Sequence, residues 1–136
     1  MATNFAIDGN LAATGASVLP AGKFTLNATS GATTAAAGDL TGAAFVSAGY
    51  SAVGAANLTT RTAVQMFADM PNAQVGDSYT LMITNTSGGT TTLVAGTGVT
   101  LTGTMTMATN TTRTFNVKFV SATAVTIQSI GVGTIS

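Results

Sequence analysis

The chain is expected to be mainly β: a small antiparallel β-sandwich or barrel with one short helix, preceded by an extended N-terminal arm. Three observations lead there. From Asp77 onward, apolar residues recur at every second position, the period of a half-buried strand. These stretches of about five to eight residues are separated by turns of Gly, Asn, Ser and Thr, as in an antiparallel sandwich or barrel. Threonine, whose branched Cβ suits a pleated strand, is the commonest residue.

The chain changes character near Asn57. Residues 1–57 carry small-residue runs, above all Ser30 to Gly38, and read as an N-terminal arm or loosely packed β segment. Residues 58–136 read as the compact β module. In the first part, Lys23 to Asn27 alternates in the manner of a strand, and Ala43 to Ser47 is a second short candidate. Pro20 and the recurring glycines leave no room for a long helix.

A helix is predicted from about Thr60 to Met70. Thr62 followed by Gln65 forms a capping box, and Ala63, Val64, Phe67 and Met70 are expected on one apolar side. Pro71-Asn72 stops it. The helix is expected to plug one end of a β core. Next, Tyr79, Leu81 and Ile83 mark a strand, the turn Asn85 to Gly89 reverses it, and Thr90 to Val94 returns as the second arm of a hairpin. Val99, Leu101 and the stretch Thr102 to Met107 supply a further strand or bent pair. Ala108 to Thr112 is a polar turn. Thr114 to Val120 is a strand with Phe115, Val117 and Phe119 on one face, and Ala124 to Ile130 closes the series with Val125 and Ile127 inward.

Four Lys or Arg and four Asp make 6% of the 136 residues charged, and there is no Glu, His, Cys or Trp. Soluble domains usually carry about a quarter of their residues as charges. Net charge is zero, and Lys23, Arg61, Arg113 and Lys118 are spread singly, so no basic patch offers itself to nucleic acid or to an anionic membrane. No enzyme activity, metal or cofactor is expected, because general acid–base work would fall to Asp8, Asp39, Asp69, Asp77, two tyrosines and two lysines, at spacings that suggest no paired site. Asp69 and Asp77 read as turn or solvated residues. Asp8-Gly9-Asn10 lacks the other ligands of a calcium loop, and Gly96-Thr97-Gly98 has no following helix to hold a phosphate, so both read as turns. Thr102-Gly103-Thr104 has the local form of an ice-binding rank without the fixed repeat that such a solenoid needs.

Threonine hydroxyls keep a strand surface wettable without charge. They do not guard it, since natural sheets use Lys, Pro and inward charges to stop edges pairing with other chains. A closed symmetric oligomer covers such edges against identical copies. A closed symmetric oligomer is therefore expected.

The segment from Asn57 to Ile130 resembles a module of virion structural proteins in tailed bacteriophages, notably of the cyanophage type. The likeness rests on Met70-Pro71-Asn72-Ala73, Val75-Gly76-Asp77-Ser78-Tyr79, Ile83-Thr84-Asn85, Leu93 to Val99 and Thr123 to Ile127. It implies a structural role in the virion, with no catalytic residues. In capsid decoration (cement) proteins a small β-rich domain forms trimers above an N-terminal arm laid on the shell, and the division of this chain is similar. The resemblance implies a protein made in the host cytoplasm and placed on the capsid surface. Its partners would be itself and the major capsid protein, with no nucleic acid and no membrane. Contacts with capsid or subunits are expected at Phe5, Ile7, Leu11, Val18, Leu19 and Phe24. The alternatives are a tail-fibre or receptor-binding domain of a phage and a non-viral carbohydrate-binding β-sandwich; the latter should present exposed aromatics, and the chain has two Tyr and no Trp.

Overall fold

The computed structural model describes residues 23–26, 32–41, 47–52 and 57–134; for residues 23–26 and 47–52 and for Thr134 it is the backbone that is described. Ten strands and one helix follow in chain order: β1 (Lys23–Leu26), β2 (Thr33–Thr34), β3 (Ser47–Ala52), β4 (Asn57–Thr59), α1 (Ala63–Ala68), β5 (Ser78–Asn85), β6 (Thr91–Val94), β7 (Val99–Thr102), β8 (Thr106–Met107), β9 (Thr111–Ser121) and β10 (Ala124–Thr134). They form two packed sheets, one of six strands in the order β1-β3-β5-β9-β10-β7 and one of four in the order β2-β4-β6-β8. The protein is mainly β, a small sandwich with one short helix.

The strongest strand signals produce the centre of the larger sheet. In β9, Phe115, Val117 and Phe119 alternate with Asn116, Lys118 and Val120, so one pleat face is wholly buried and the other looks outward. β5 does the same with Tyr79, Leu81, Ile83 and Asn85, and β10 with Val125 and Ile127. From the second sheet Leu58, Leu93 and Met107 close over them, joined by Ala35 and Leu40 from the loop after β2. Burying side chains of this size contributes about 1.5–3 kcal/mol each.

The helix forms where expected and carries the predicted capping box: Thr62 Oγ1 accepts from the Gln65 N–H, and Gln65 Oε1 accepts from the Thr62 N–H. Its buried stripe differs from the expected one. Ala63, Met66 and Met70 are buried and Phe67 packs its edge on Phe119 at 5.3 Å, while Val64 is 55% exposed. A helix that begins at Ala63 turns positions i, i+3, i+4 and i+7 inward, which selects Met66 and leaves Val64 to solvent.

The expected hairpin of Tyr79–Thr84 with Thr90–Val94 does not form. β5 lies in the larger sheet and β6 in the smaller, so Asn85 to Gly89 carries the chain across the core instead of back along the same sheet. Asn85 determines this. Its buried amide donates from Nδ2 to the carbonyls of Gly89 (2.6 Å) and Met107 (2.8 Å), and its Oδ1 accepts from the N–H (2.9 Å) and Oγ (2.6 Å) of Ser87. One side chain thus holds the arch and ties it to β8.

The sheets are mixed instead of wholly antiparallel. Among the described residues β5 with β9, β9 with β10 and β6 with β8 are antiparallel, whereas β1 with β3, β3 with β5, β2 with β4, β4 with β6 and β10 with β7 are parallel. The reason is the winding. Between successive described strands the chain changes sheet each time until β9, which turns directly into β10 through Ala122-Thr123. From β1 to β6, strands two apart then return to the same sheet in the same direction, whereas β8 returns beside β6 in the opposite one. Lys23 lies beside Ala48 and Thr33 beside Leu58, 25 residues on in both cases; Ser47 lies beside Thr80, 33 on, because the helix enters that turn of the winding. With unequal turns no fixed sequence period survives. The expected change near Asn57 falls at the start of β4, which pairs with β2 on one side and β6 on the other.

Gly96 and Gly98 show why the second turn region is glycine-rich. A Cβ at Gly96 would stand 2.5 Å from the Thr60 carbonyl oxygen, and one at Gly98 2.5 Å from that of Thr123. Gly98 also has φ of +79°. The loop is pinned between the helix entry and the β9–β10 turn: the Ala63 N–H donates to the Thr97 carbonyl and the Val125 N–H to that of Gly98.

Candidate functional site

Arg61, Arg113 and the aspartates Asp39, Asp69 and Asp77 are used within the fold. Asp69, at the end of α1, faces Arg61 with Nε to Oδ2 at 3.0 Å and the second guanidinium nitrogen to Oδ1 at 3.3 Å, and it accepts the Gly38 N–H at 3.1 Å. The Nε contact is ionic, because the N–H is not aimed as a hydrogen bond. Asp69 is therefore a clamp between helix and loop, where a turn or solvated residue was expected. Asp77 accepts the Gln74 N–H and Asp39 the Ala36 N–H, each three residues along its own turn. Asp8 and its neighbours lie outside the described residues.

Tyr79 is buried, and its hydroxyl donates to the Leu40 carbonyl. Burial, and then the negative charge of Asp69, hold its pKa well above the ordinary tyrosine range. A phenol so placed stays neutral and serves as a donor. Among the described residues no three His, Cys, Asp or Glu side chains gather as a metal site would require.

What the fold leaves open is surface. The outer face of the larger sheet is polar and nearly uncharged: Thr80 lies beside Asn116 and Asn116 beside Gln128, while Thr84 and Thr112 share a hydroxyl hydrogen bond of 2.8 Å. Lys118 is the cation of this face among the described residues, and Met82, 43% exposed, is its large apolar member on β5. Such a face offers dense hydroxyl and amide contacts without repulsion between copies.

This face ends at a corner of a different kind. β7 pairs with β10 from Val125 to Gln128 and then stops, because Gly103, at φ of +89°, turns the chain away beside Ser129. Beyond it, residues 129–134 of β10 have β9 on one side and, among the described residues, no strand on the other. A register shift at Ser129 to Gly131 accompanies the change. Here Ile130 and Val132 are 60% and 59% exposed, and a Cβ added at Gly131 or Gly133 would meet nothing within 4 Å.

The cation nearest in register is turned inward on itself. Arg113, the partner of Val132 in the β9–β10 ladder, donates from Nε to the Thr106 carbonyl (2.9 Å) and from a terminal nitrogen to Ser129 Oγ (3.1 Å). The corner is thus apolar and uncharged, with a strand edge that no described strand covers.

Of the expected contact residues, Phe5, Ile7, Leu11, Val18 and Leu19 lie outside the described residues. Phe24 lies in β1, beside Gly49 of β3, which lies beside Met82 of β5. The second candidate strand, Ala43 to Ser47, lies outside the described residues up to Ser47, where β3 begins. The corner at Ile130 and Val132 was not foreseen. Its signal is the alternation of Ile130, Val132 and Thr134 with Gly131 and Gly133, which continues the strand pattern past Ile130 with glycine in place of threonine.

Neither protein-family models nor curated proteins nor solved structures give a match to this chain.

Proposed function

We propose that the chain is a structural virion protein, a capsid decoration (cement) protein that binds the outside of a phage head as a homotrimer and stabilises the shell of major capsid protein. The observation that carries this reading is the combination in one molecule of a two-sheet β body, a nearly uncharged outer face and a strand edge that no described strand covers. It adds to the resemblance of residues 57–130 to phage virion modules. The protein works by contact alone, with no catalysis and no cofactor. Apolar burial at about 25 cal/mol per Å², over an interface of about 800 Å² per partner, supplies attraction. Joining three shell contacts in one trimer then raises avidity without new chemistry.

The test is addition of the purified protein to expanded, undecorated heads of the phage that encodes it. Co-sedimentation with the heads and a rise in their calorimetric disruption temperature are expected. Absence from the sedimented heads, with an unchanged disruption temperature, would contradict the proposal.

One observation favours a second reading, a tail-fibre or receptor-binding domain. The chain winds between two sheets and stacks parallel strands turn upon turn, an architecture that extends along one axis. Immunogold labelling of whole virions separates the two, with label over the head expected and label confined to the tail favouring the second.

A further inference from the structure

We propose that residues 35–41, the loop after β2, form an acid-released strap. Asp39 and Asp69 hold it on the end of α1 as carboxylates, and their protonation frees its crown, residues 36–39, while both sheets stay folded. This device goes beyond the cement reading and does not rest on it.

The strap is anchored at both ends by groups that do not titrate in acid. The Ala35 N–H donates to the Thr59 carbonyl at 2.8 Å, which continues the pairing of β2 with β4, and the Leu40 carbonyl accepts from the neutral Tyr79 hydroxyl. The side chains of Leu40 and Thr41 are buried. Between these anchors the crown hangs on two carboxylates. The Ala36 N–H donates to Asp39 Oδ2 at 2.8 Å and the Gly38 N–H to Asp69 Oδ2 at 3.1 Å. The Asp39 N–H closes the turn on the Ala36 carbonyl at 3.1 Å, with Gly38 at φ of +78°.

Asp69 sits where a carboxylate is otherwise unfavourable, at the C-terminal end of a helix, where it opposes the backbone dipole. Its contacts account for it. Oδ2 meets the Gly38 N–H and, at 3.0 Å, Arg61 Nε, while Oδ1 faces a terminal guanidinium nitrogen at 3.3 Å. A proton added to this carboxyl enters a site built from donors and removes the charge opposite Arg61. That cation is then left with its side chain 24% exposed and its Nε buried without a hydrogen-bond acceptor. The other ionisable groups around Asp69 are Tyr79 of β5, kept neutral by burial and then by the Asp69 charge, and Asp39 on the strap itself. Composition makes the response local. The chain has four Asp and no Glu or His, and no described strand carries an acidic side chain. Of the three described aspartates, Asp77 binds the Gln74 N–H within its own turn, and the other two hold the strap.

The experiment is amide hydrogen exchange by NMR on the full-length chain at pH 7 and at about pH 3, below the ordinary aspartate range. Exchange is expressed as protection relative to an unstructured peptide at the same pH. In acid the protection of Ala36 and Gly38 is expected to fall about tenfold, the low end for a partly exposed hydrogen bond to a charged group. Phe115, Val117 and Ile127 should keep theirs. Asp39→Asn and Asp69→Asn should each produce the same loss at pH 7, at Ala36 and at Gly38 respectively, and flatten the acid response of that amide. Asp77→Asn should leave both amides as in the wild type. Equal protection of Ala36 and Gly38 at the two pH values would overturn the proposal. So would a parallel fall across β9 and β10, because the molecule would then be unfolding as a whole. If Asp69→Asn does not fold, the wild-type comparison and Asp39→Asn still decide between these outcomes.

Discussion

The two halves of β10 are built from the same kinds of residue and have opposite surroundings. From Val125 to Gln128 the strand is paired on both sides, by β9 and β7, and Val125 and Ile127 are completely covered. From Ser129 to Thr134 it is paired, among the described residues, on one side, and Ile130 and Val132 are more than half exposed. Strand propensity cannot account for the difference, since β-branched residues serve both. What separates them is Gly103, which takes β7 out of the sheet, and Gly131 and Gly133, which remove side chains from the strand just where its own sheet ends. Among the described residues one strand is thus flanked on both sides over one half and on one side over the other.

The comparison breaks most visibly in the covered half. Ile127→Ala, which opens a cavity against β9 and the second sheet, should lower unfolding stability by about 2–5 kcal/mol in chemical denaturation. Asn85→Ala comes next. It removes the amide that satisfies Gly89, Met107 and Ser87, and a loss of about 1–3 kcal/mol is expected; a neutral result would show that the arch does not depend on this residue. Tyr79→Phe should cost about 0.5–1.5 kcal/mol at neutral pH through its lost bond to Leu40.

The same tyrosine fixes an alkaline limit. Its folded pKa is raised above the unfolded value near 10, so the unfolded chain releases the proton first and stability falls as pH rises beyond about 10, by up to about 1.4 kcal/mol per unit. The wild type should therefore lose stability there more steeply than Tyr79→Phe. Parallel slopes would show that Tyr79 ionises freely in the fold.

The open half should respond least to a change of side chain. Val132→Lys is expected to alter unfolding stability at high dilution by no more than about 0.5 kcal/mol, because the position is exposed and no cavity forms. Between pH 5 and 8 stability should be nearly flat, since the chain has no histidine to titrate there; a sharp transition in a thermal-shift series across that range would contradict the role given to the neutral surface.

Local patterns were legible in the chain itself. Thr62 and Gln65 announce the helix start, and Phe115, Val117 and Phe119 announce the central strand, because capping and pleat alternation act between near neighbours. The passage from β5 to β6 was not legible. A hairpin and an arch both show period-two strands around an Asn-Ser-Gly turn, and the choice is made by the contact of Asn85 with Met107, 22 residues away. The mixed pairing was hidden for the same reason, since turns of 25 and 33 residues leave no repeat to find. Val64 was misplaced because one residue of phase in a six-residue helix decides which side is covered. At the candidate surface, composition announced an unguarded neutral exterior. Its location at Ile130 and Val132 depends on where β7 leaves the sheet, which Gly103 alone does not reveal in sequence.

The central claim is that the protein we propose as a cement assembles with copies of itself, and the sedimentation mass of the wild type over a dilution series at low micromolar concentration tests it most directly. A homotrimer is the result expected. A monomer at every concentration would contradict the claim.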